Sequence, residues 1–463
     1  MLPHRFRWIH LLISSCIFYM FFIPIYILIL FFTIIIDYYA GILIEDTLDN
    51  LKKKRWLIVS IVTNVGVLCI FKYYNFFTDN INIALGYDVA KGEGLPYLGM
   101  ILPIGLSFHT FQAMSYTIEV YRGVQKAERH MGIYALYVMF YPQLVAGPIE
   151  RPQNVLHQFH EKKNFDYYNA VSGLKLIGWG LFKKMVIADR ISVMVNEVYN
   201  HPTQFEGFPV IFATFLFSIQ IFCDFSGYSD IALGTARVMG FKLMKNFDRP
   251  YHATSISEFW RKWHISLNTW FVDYVYSPFV TEKRDWGKAA VVVGVLLTFS
   301  LSGLWHGANW TFVIWGTLHG IALAYDFLSK KKRKAWSKKI PGFIYNPLSL
   351  ILTFTFVSFT YIFFRASSVN DAFHIISSIP HLHLNQLNLS MFGEAVSKKE
   401  ILIALFFIVI MEIAHFTQIK YGENLPFINK ASMPVRWGLY ITGGLILILF
   451  AVMDKQSFIY FQF

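Results

Sequence analysis

Only 15% of the 463 residues are charged, and cysteine occurs three times. Charge this sparse excludes an average soluble domain, a disordered chain and a coiled coil. Cys16, Cys69 and Cys223 all lie in apolar text. That excludes a disulfide framework and a thiolate metal site, and leaves three small core residues. The sequence has no GxSxG elbow, no GxxxxGK[ST] phosphate loop, no HExxH and no CxxC pair. Serine-hydrolase, ATPase and zinc-hydrolase readings therefore lose their main support. No repeat, low-complexity tract or linker divides the chain. Nothing reads as a cleavable signal peptide, because the first apolar stretch runs well past signal length without a small-residue cleavage site.

What is present is apolar text: 55% hydrophobic residues, with 12 Trp, 26 Tyr and 46 Phe, and a mean hydropathy of +0.44. Runs of about 20 apolar residues, the length that crosses a bilayer, fall at 57–77, 97–118, 171–189, 209–223, 289–304, 310–328, 348–364, 401–416 and 435–453. The stretch 8–44 is broken only at Pro24 and Asp37 and suits a helical hairpin turning near the proline. The reading is an all-α polytopic integral membrane protein of about eleven crossings. It is one membrane domain over 1–463, with the hairpin 8–44, a core about 97–328 and C-terminal spans 348–453. The net charge of +12 comes from short basic runs between apolar stretches. This is the positive-inside pattern and predicts contact with membrane lipid, not nucleic acid. Lys52–Arg55 and the run Lys330–Lys339 are predicted to be cytoplasmic. Consistent alternation then requires 133–149 to be re-entrant, covered by protein or lining a cavity. It also makes Arg237–Lys288 a set of cytoplasmic, interfacial helices.

Polar residues in lipid are functional-site hypotheses by default. Between two apolar spans, SGLWHGANWTFVIWGTLHG carries Ser302, Trp305, His306, Asn309, Trp310 and His319. A neutral imidazole at 306 has two readings: general base for a hydroxyl, or a packing histidine bonded to one carbonyl. His319 reads as a packing histidine without an identifiable partner. The stretch ISEFWRKWHISLNTWFVDYVYSP offers Glu258, Arg261, Lys262, His264, Asn268 and Asp273. Helical spacing puts Trp260, Trp263, His264 and Leu267 on one face and leaves Arg261 and Lys262 to the side. There they either attract a phosphate-bearing ligand or snorkel to headgroups. In SIQIFCDFSGYSDIALG, Asp224 and Asp230 are six positions apart, and Gly227 suggests a helix break. A paired-carboxylate site is disfavoured, and both read as groups that orient others or cap helix ends.

The sequence resembles the membrane-bound O-acyltransferases, and within them the bacterial alginate O-acetyltransferase-like branch. The resemblance runs in order through LPIGLSFHTFQAMSYTIEVYRG (102–123), FYPQLVAGPIERP (140–152), CDFSGYSDIALG (223–234), NFDRPYHATSISEFWRKWHISLNTW (246–270), LSGLWHGANWTFVIWGTLHG (301–320) and FIYFQF (458–463). It covers about half the chain, and the pair WRKWHISL and LWHGANW is its strongest part. In that branch an additional apolar segment usually precedes the hairpin; here the chain begins almost at it. The resemblance implies transfer of an acyl group, most often acetyl, from a cytoplasmic thioester to a hydroxyl on the far side of a bacterial inner membrane. It assigns His306 as the central catalytic histidine and His264 as a second one near the cytoplasmic mouth. Asn309, by proximity, is a candidate oxyanion donor, and Asp224 and Trp305 are candidate supports. Arg261 and Lys262 suit the phosphates of acetyl-CoA or of a carrier-protein thioester. No bound cofactor or metal is required. The acceptor is a glycan, or a separate periplasmic SGNH-type partner that relays the group. Two rivals remain at the level of sequence: a secondary transporter or exporter of a cell-surface polysaccharide, and a scaffold in a polysaccharide synthase complex.

Overall fold

In a computed structural model, residues 3–87, 91–386, 388, 390–393, 396–422, 430–453 and 458–459 are described, and none of them forms a strand. Eight of the described helices are long and apolar enough to cross a membrane. The protein is therefore all-helical and multi-pass. The chain packs as two units, Met1–Leu174 with Ala232–Lys245, and Lys175–Ile231 with Asn246–Phe463.

The first unit opens with the expected hairpin: α1 (His4–Met20), a 3₁₀ turn Pro24–Tyr26 and α2 (Ile27–Asp46). Proline sits where its missing N–H is harmless, and it holds Ile23 extended. Asp37, the other interruption, is buried, where its carboxylate accepts from Ser60 Oγ at 2.6 Å and Asn64 Nδ2 at 2.9 Å. Both partners belong to α3 (Asn50–Leu68), which Asp49 caps and which a π turn joins to α4 (Tyr74–Leu85). The expected span 97–118 is shorter than predicted, because Pro103 and Gly105 (φ 76°) delay the helix start to Leu106. The result is α5 (Leu106–Tyr121). The stretch 133–149 is buried apart from Tyr141 and broken at Phe140 into α6 (Met131–Met139) and α7 (Tyr141–Leu144), followed by α8 (Pro152–Val155). Glu150, fully buried, accepts from Met244 N at 2.5 Å and pins the 239–245 segment to this stretch.

α9 (Tyr167–Leu181) continues through a π turn, Phe182–Ala188, into α10 (Asp189–Asn200). The expected span 171–189 is thus interrupted at Lys183 and Lys184. α11 (Phe208–Val238) runs straight through Gly227, contrary to the predicted break. Gly227 is instead a crossing point: a Cβ there would lie 2.8 Å from Gly180 O. The segment predicted as interfacial forms short helices, α12 (Ile256–Lys262), α13 (Ile265–Phe271) and α14 (Ser277–Glu282). The long helices that complete the second unit are α15 (Lys288–His306), α16 (Trp310–Lys339), α17 (Gly342–Arg365), α19 (Lys398–Tyr421) and α20 (Met433–Phe450), with the short α18 (Val369–Ser378) between α17 and α19. Of the eleven predicted crossings, α1, 97–118 and 171–189 fall short of a full apolar span.

Candidate active site

α15 and α16 form a tight antiparallel pair because glycines remove side chains at the crossing. A Cβ on Gly303 would stand 2.2 Å from Phe312 O, and one on Gly316 would stand 2.2 Å from Phe299 O. The pair turns over three residues, 307–309, and Asn309 starts α16 by accepting from Thr311 N at 3.0 Å. Asn309 Nδ2 points to Ser367 O at 3.4 Å, so the oxygen of this amide caps the turn and its nitrogen ties the turn to the segment after α17. His306 is the last residue of α15 and is 3% exposed. Three rings stand edge-on around it: Trp305 at 4.9 Å, Trp315 at 5.1 Å and Phe364 at 5.5 Å.

His264 arrives from a different part of the chain. The helical spacing expected to put Trp260, Trp263, His264 and Leu267 on one face is interrupted at His264, which adopts a left-handed conformation (φ 43°) and separates α12 from α13. Such backbone is costly for a non-glycine residue and persists only where surroundings over-determine it. Asn246 supplies that determination. Its carbonyl accepts from Ile265 N at 2.9 Å, and its side-chain Oδ1 accepts from Ser266 N at 3.2 Å and Ser266 Oγ at 2.9 Å. The same oxygen lies 3.1 Å from His264 Nδ1. An amide oxygen accepts only, so Nδ1 carries the proton and Nε2 is the basic nitrogen. Complete burial pushes the His264 pKa down to about 3, so the ring is neutral at physiological pH.

The two histidine rings, 42 positions apart in sequence (306 − 264 = 42), have centroids 6.4 Å apart, and Trp305 lies 6.2 Å from His264. They share one aromatic enclosure. Trp260, Trp263 and Leu267 are buried beside His264, so this segment enters the protein interior. His319 proves to have partners: it accepts from Trp260 Nε1 at 3.2 Å and meets Thr360 Oγ1 at 3.0 Å. This is the packing role the sequence suggested. Cavities of about 750, 580 and 290 Å³ lie elsewhere and are lined by neither catalytic candidate.

The remaining candidates sit around this pair. Arg261 is exposed, whereas Lys262 is paired to Glu258 at 2.6 Å. Against burial, which raises it, this pairing and the N–H and hydroxyl of Thr254 hold the Glu258 pKa below its usual value. Asp224 and Asp230 do not face each other. Asp224 binds Lys184 at 2.6 Å and accepts from Ile459 N at 2.8 Å, while Asp230 binds Lys183 at 2.8 Å. The two lysines escaped the sequence reading, although a KK pair at the end of an apolar run was the available signal. Of the terminal FIYFQF, Phe458 and Ile459 are within the described residues and 460–463 lie outside them.

Comparison with known proteins identifies the family. The model of MBOAT, the membrane-bound O-acyltransferase family, matches residues 130–367, a stretch that holds both histidines. The chain is 33% identical over 399 residues to a peptidoglycan O-acetyltransferase of Helicobacter pylori, covering 81% of this chain and 73% of the relative. It is 31% identical over 485 residues to a probable alginate O-acetylase AlgI of Pseudomonas putida, covering 99% and 95%. A teichoic acid D-alanyltransferase of Bacillus subtilis is 29% identical over 283 residues, covering 58% and 70%. All-helical, multi-pass and built around two buried histidines, the chain is an acyltransferase that belongs to the membrane-bound O-acyltransferase family.

Proposed function

We propose that the protein transfers an acetyl group from a cytoplasmic thioester, acetyl-CoA or an acyl carrier, to a hydroxyl on the outer side of a bacterial inner membrane. The acceptor is a glycan, or an SGNH-type partner that relays the group to one. The observation that carries the reading is the convergence of His306 and His264, 6.4 Å apart, within one aromatic enclosure. In the reaction the acceptor oxygen attacks the thioester carbonyl as His306 takes its proton. The tetrahedral intermediate collapses, the C–S bond breaks, and the imidazolium returns the proton to the leaving thiolate. A thioester is already activated, so alignment, exclusion of water and one base suffice. No step calls for a metal.

His264, neutral and adjacent, faces the donor within the same aromatic enclosure. Because both rings are almost fully buried, reaction requires a transient opening between the surrounding aromatic side chains. Arg261 is available to meet donor phosphates. Lys262 does so only by giving up Glu258. Asp224, holding Lys184 and Ile459, and Trp305, against both histidines, act as supports, and Asn309 shapes the turn that presents His306.

The test is transfer of labelled acetyl from acetyl-CoA, with acetyl content measured on peptidoglycan and secreted polysaccharide. His306→Ala is expected to lose at least about 100-fold in transfer, the range for removing a general base, while keeping its elution profile and melting behaviour. Undiminished transfer by that variant removes the proposal. Movement of labelled polysaccharide across liposomes without any acetyl exchange favours a transporter instead.

A further inference from the structure

Behind the loop that carries Asn246, a second group of ionisable side chains converges, and the acyl transfer described above does not use it. His252 closes the 3₁₀ turn Pro250–His252, while Glu412 and His415 lie one turn apart on α19. Glu412 Oε2 is 3.0 Å from His252 Nε2, and Glu412 Oε1 is 3.2 Å from His415 Nδ1. One ligand atom from each residue lies within 4.8 Å of the other two. The His415 side chain is 6% exposed, that of His252 is 13% and that of Glu412 is 32%, so the two imidazoles are set into the protein and the carboxylate reaches towards solvent. Phe222 and Trp179 pack on His415, and Phe416 packs on His252, which fixes both imidazoles.

We infer that His252, Glu412 and His415 bind a divalent transition-metal ion, with zinc the best match. Metal–ligand bonds of about 2.0–2.2 Å in tetrahedral geometry place neighbouring ligand atoms about 3.4 Å apart. The two histidine–glutamate separations, one to each carboxylate oxygen, are near that edge, and with one ligand atom taken from each residue the three lie within 4.8 Å, so a small inward turn of the side chains completes the set. Two imidazoles with one carboxylate form a known zinc donor set that leaves a fourth position for water, and imidazole selects zinc over magnesium or calcium. The single carboxylate offsets part of the ion's charge, and its partial exposure leaves the open position in reach of water. The rival arrangement is metal-free: a carboxylate clamped by two imidazole N–H donors. Both histidines must give up a proton or turn a lone pair inward for the metal to bind, so the two states are chemically exclusive.

The placement suggests what such an ion does. It ties the 246–255 loop to α19 within the second unit, and Asn246 on that loop sustains the backbone turn at His264. The metal is a clip that holds this loop, and it takes no part in the chemistry at His306.

The experiment uses full-length protein purified in detergent without a polyhistidine tag. Bound metal is measured by mass spectrometry after exchange into Zn²⁺ and removal of the excess. About one zinc per chain is expected in the wild type and in His306→Ala. A fall of at least about tenfold is expected in His252→Ala, His415→Gln and the near-isosteric Glu412→Gln. Wild-type protein loaded with Co²⁺ is expected to show the ligand-field absorption of a four-coordinate nitrogen–oxygen site, a readout that needs no variant. Zinc equal in wild type and monodisperse His415→Gln, or none in the wild type, overturns the inference and leaves the hydrogen-bonded clamp. Loss of transfer in His306→Ala with zinc retained separates this inference from the proposed reaction.

Discussion

His264 shows how one residue can be half legible. A histidine among tryptophans in an apolar chain asks for a reason, and so does His306; the sequence alone points to both. The feature that makes His264 geometrically useful is a left-handed backbone, and this is imposed by Asn246, 18 residues away. Nothing local in WRKWHISL demands it, so no periodicity reveals it. Lys183 and Lys184 were missed for the same reason, because their importance lies in Asp230 and Asp224 on another helix. Asn246→Ala removes an oxygen that serves three donors. The expected result is a loss of about 1–3 kcal/mol in stability, the cost of stranding buried donors, with kcat reduced more than KM because the imidazole loses its orientation. Unchanged kcat in a folded variant denies Asn246 this positioning role. The ring also predicts a pH dependence. In the unfolded chain His264 takes up a proton near its ordinary pKa of 6.5, whereas the folded protein resists it down to about 3. The stabilisation is therefore complete above about pH 6.5 and is lost as pH falls towards 3. At pH 5 the loss from this group is about 2 kcal/mol. The apparent melting temperature of the wild type is expected to drop further between pH 7.5 and pH 5 than that of His264→Asn, and equal drops exclude the effect.

Helices were easier to read than their ends and crossings. Length and hydropathy located every one of the eight long apolar helices, because lipid forces backbone hydrogen bonds to be satisfied within each segment. The glycines were less transparent. Gly227 lies beside polar residues and resembles a break in sequence, yet a helix tolerates glycine where another backbone must approach closely. The same holds for Gly303 and Gly316, whose missing side chains let α15 and α16 touch and so set the position of His306. Gly316→Ala forces a methyl group to within 2.2 Å of Phe299 O, a backbone atom with little room to move. Overpacking of this kind costs about 1–3 kcal/mol or more. The variant is expected to melt earlier and to lose transfer activity, whereas Gly66→Ala, with open space around the added methyl, is expected to do neither. Equal behaviour of the two variants contradicts a packing role for the α15–α16 glycines.

At the scale of the molecule, the direction of the reaction depends on which way the spans run, and only the charge pattern speaks to that. The run KKKRKAWSKK closes α16 and carries seven basic residues in ten (Lys330, Lys331, Lys332, Arg333, Lys334, Lys338, Lys339). No comparable run occurs between α17 and α19, where the exposed polar residues include three histidines, His374, His381 and His383. With the basic run held in the cytoplasm, α15 ascends from Lys288 and delivers His306 towards the outer side. α17, 24 residues and about 36 Å long, then carries the chain out to α18. Ser337 and Ser377 are both exposed and stand on opposite sides in this scheme. After replacement of Cys16, Cys69 and Cys223, Ser377→Cys is expected to react with a membrane-impermeant maleimide added outside intact spheroplasts. Ser337→Cys is expected to react only after permeabilisation. The opposite pattern inverts every span in the second unit, puts His306 towards the cytoplasm and turns the proposed route from thioester to acceptor the wrong way round.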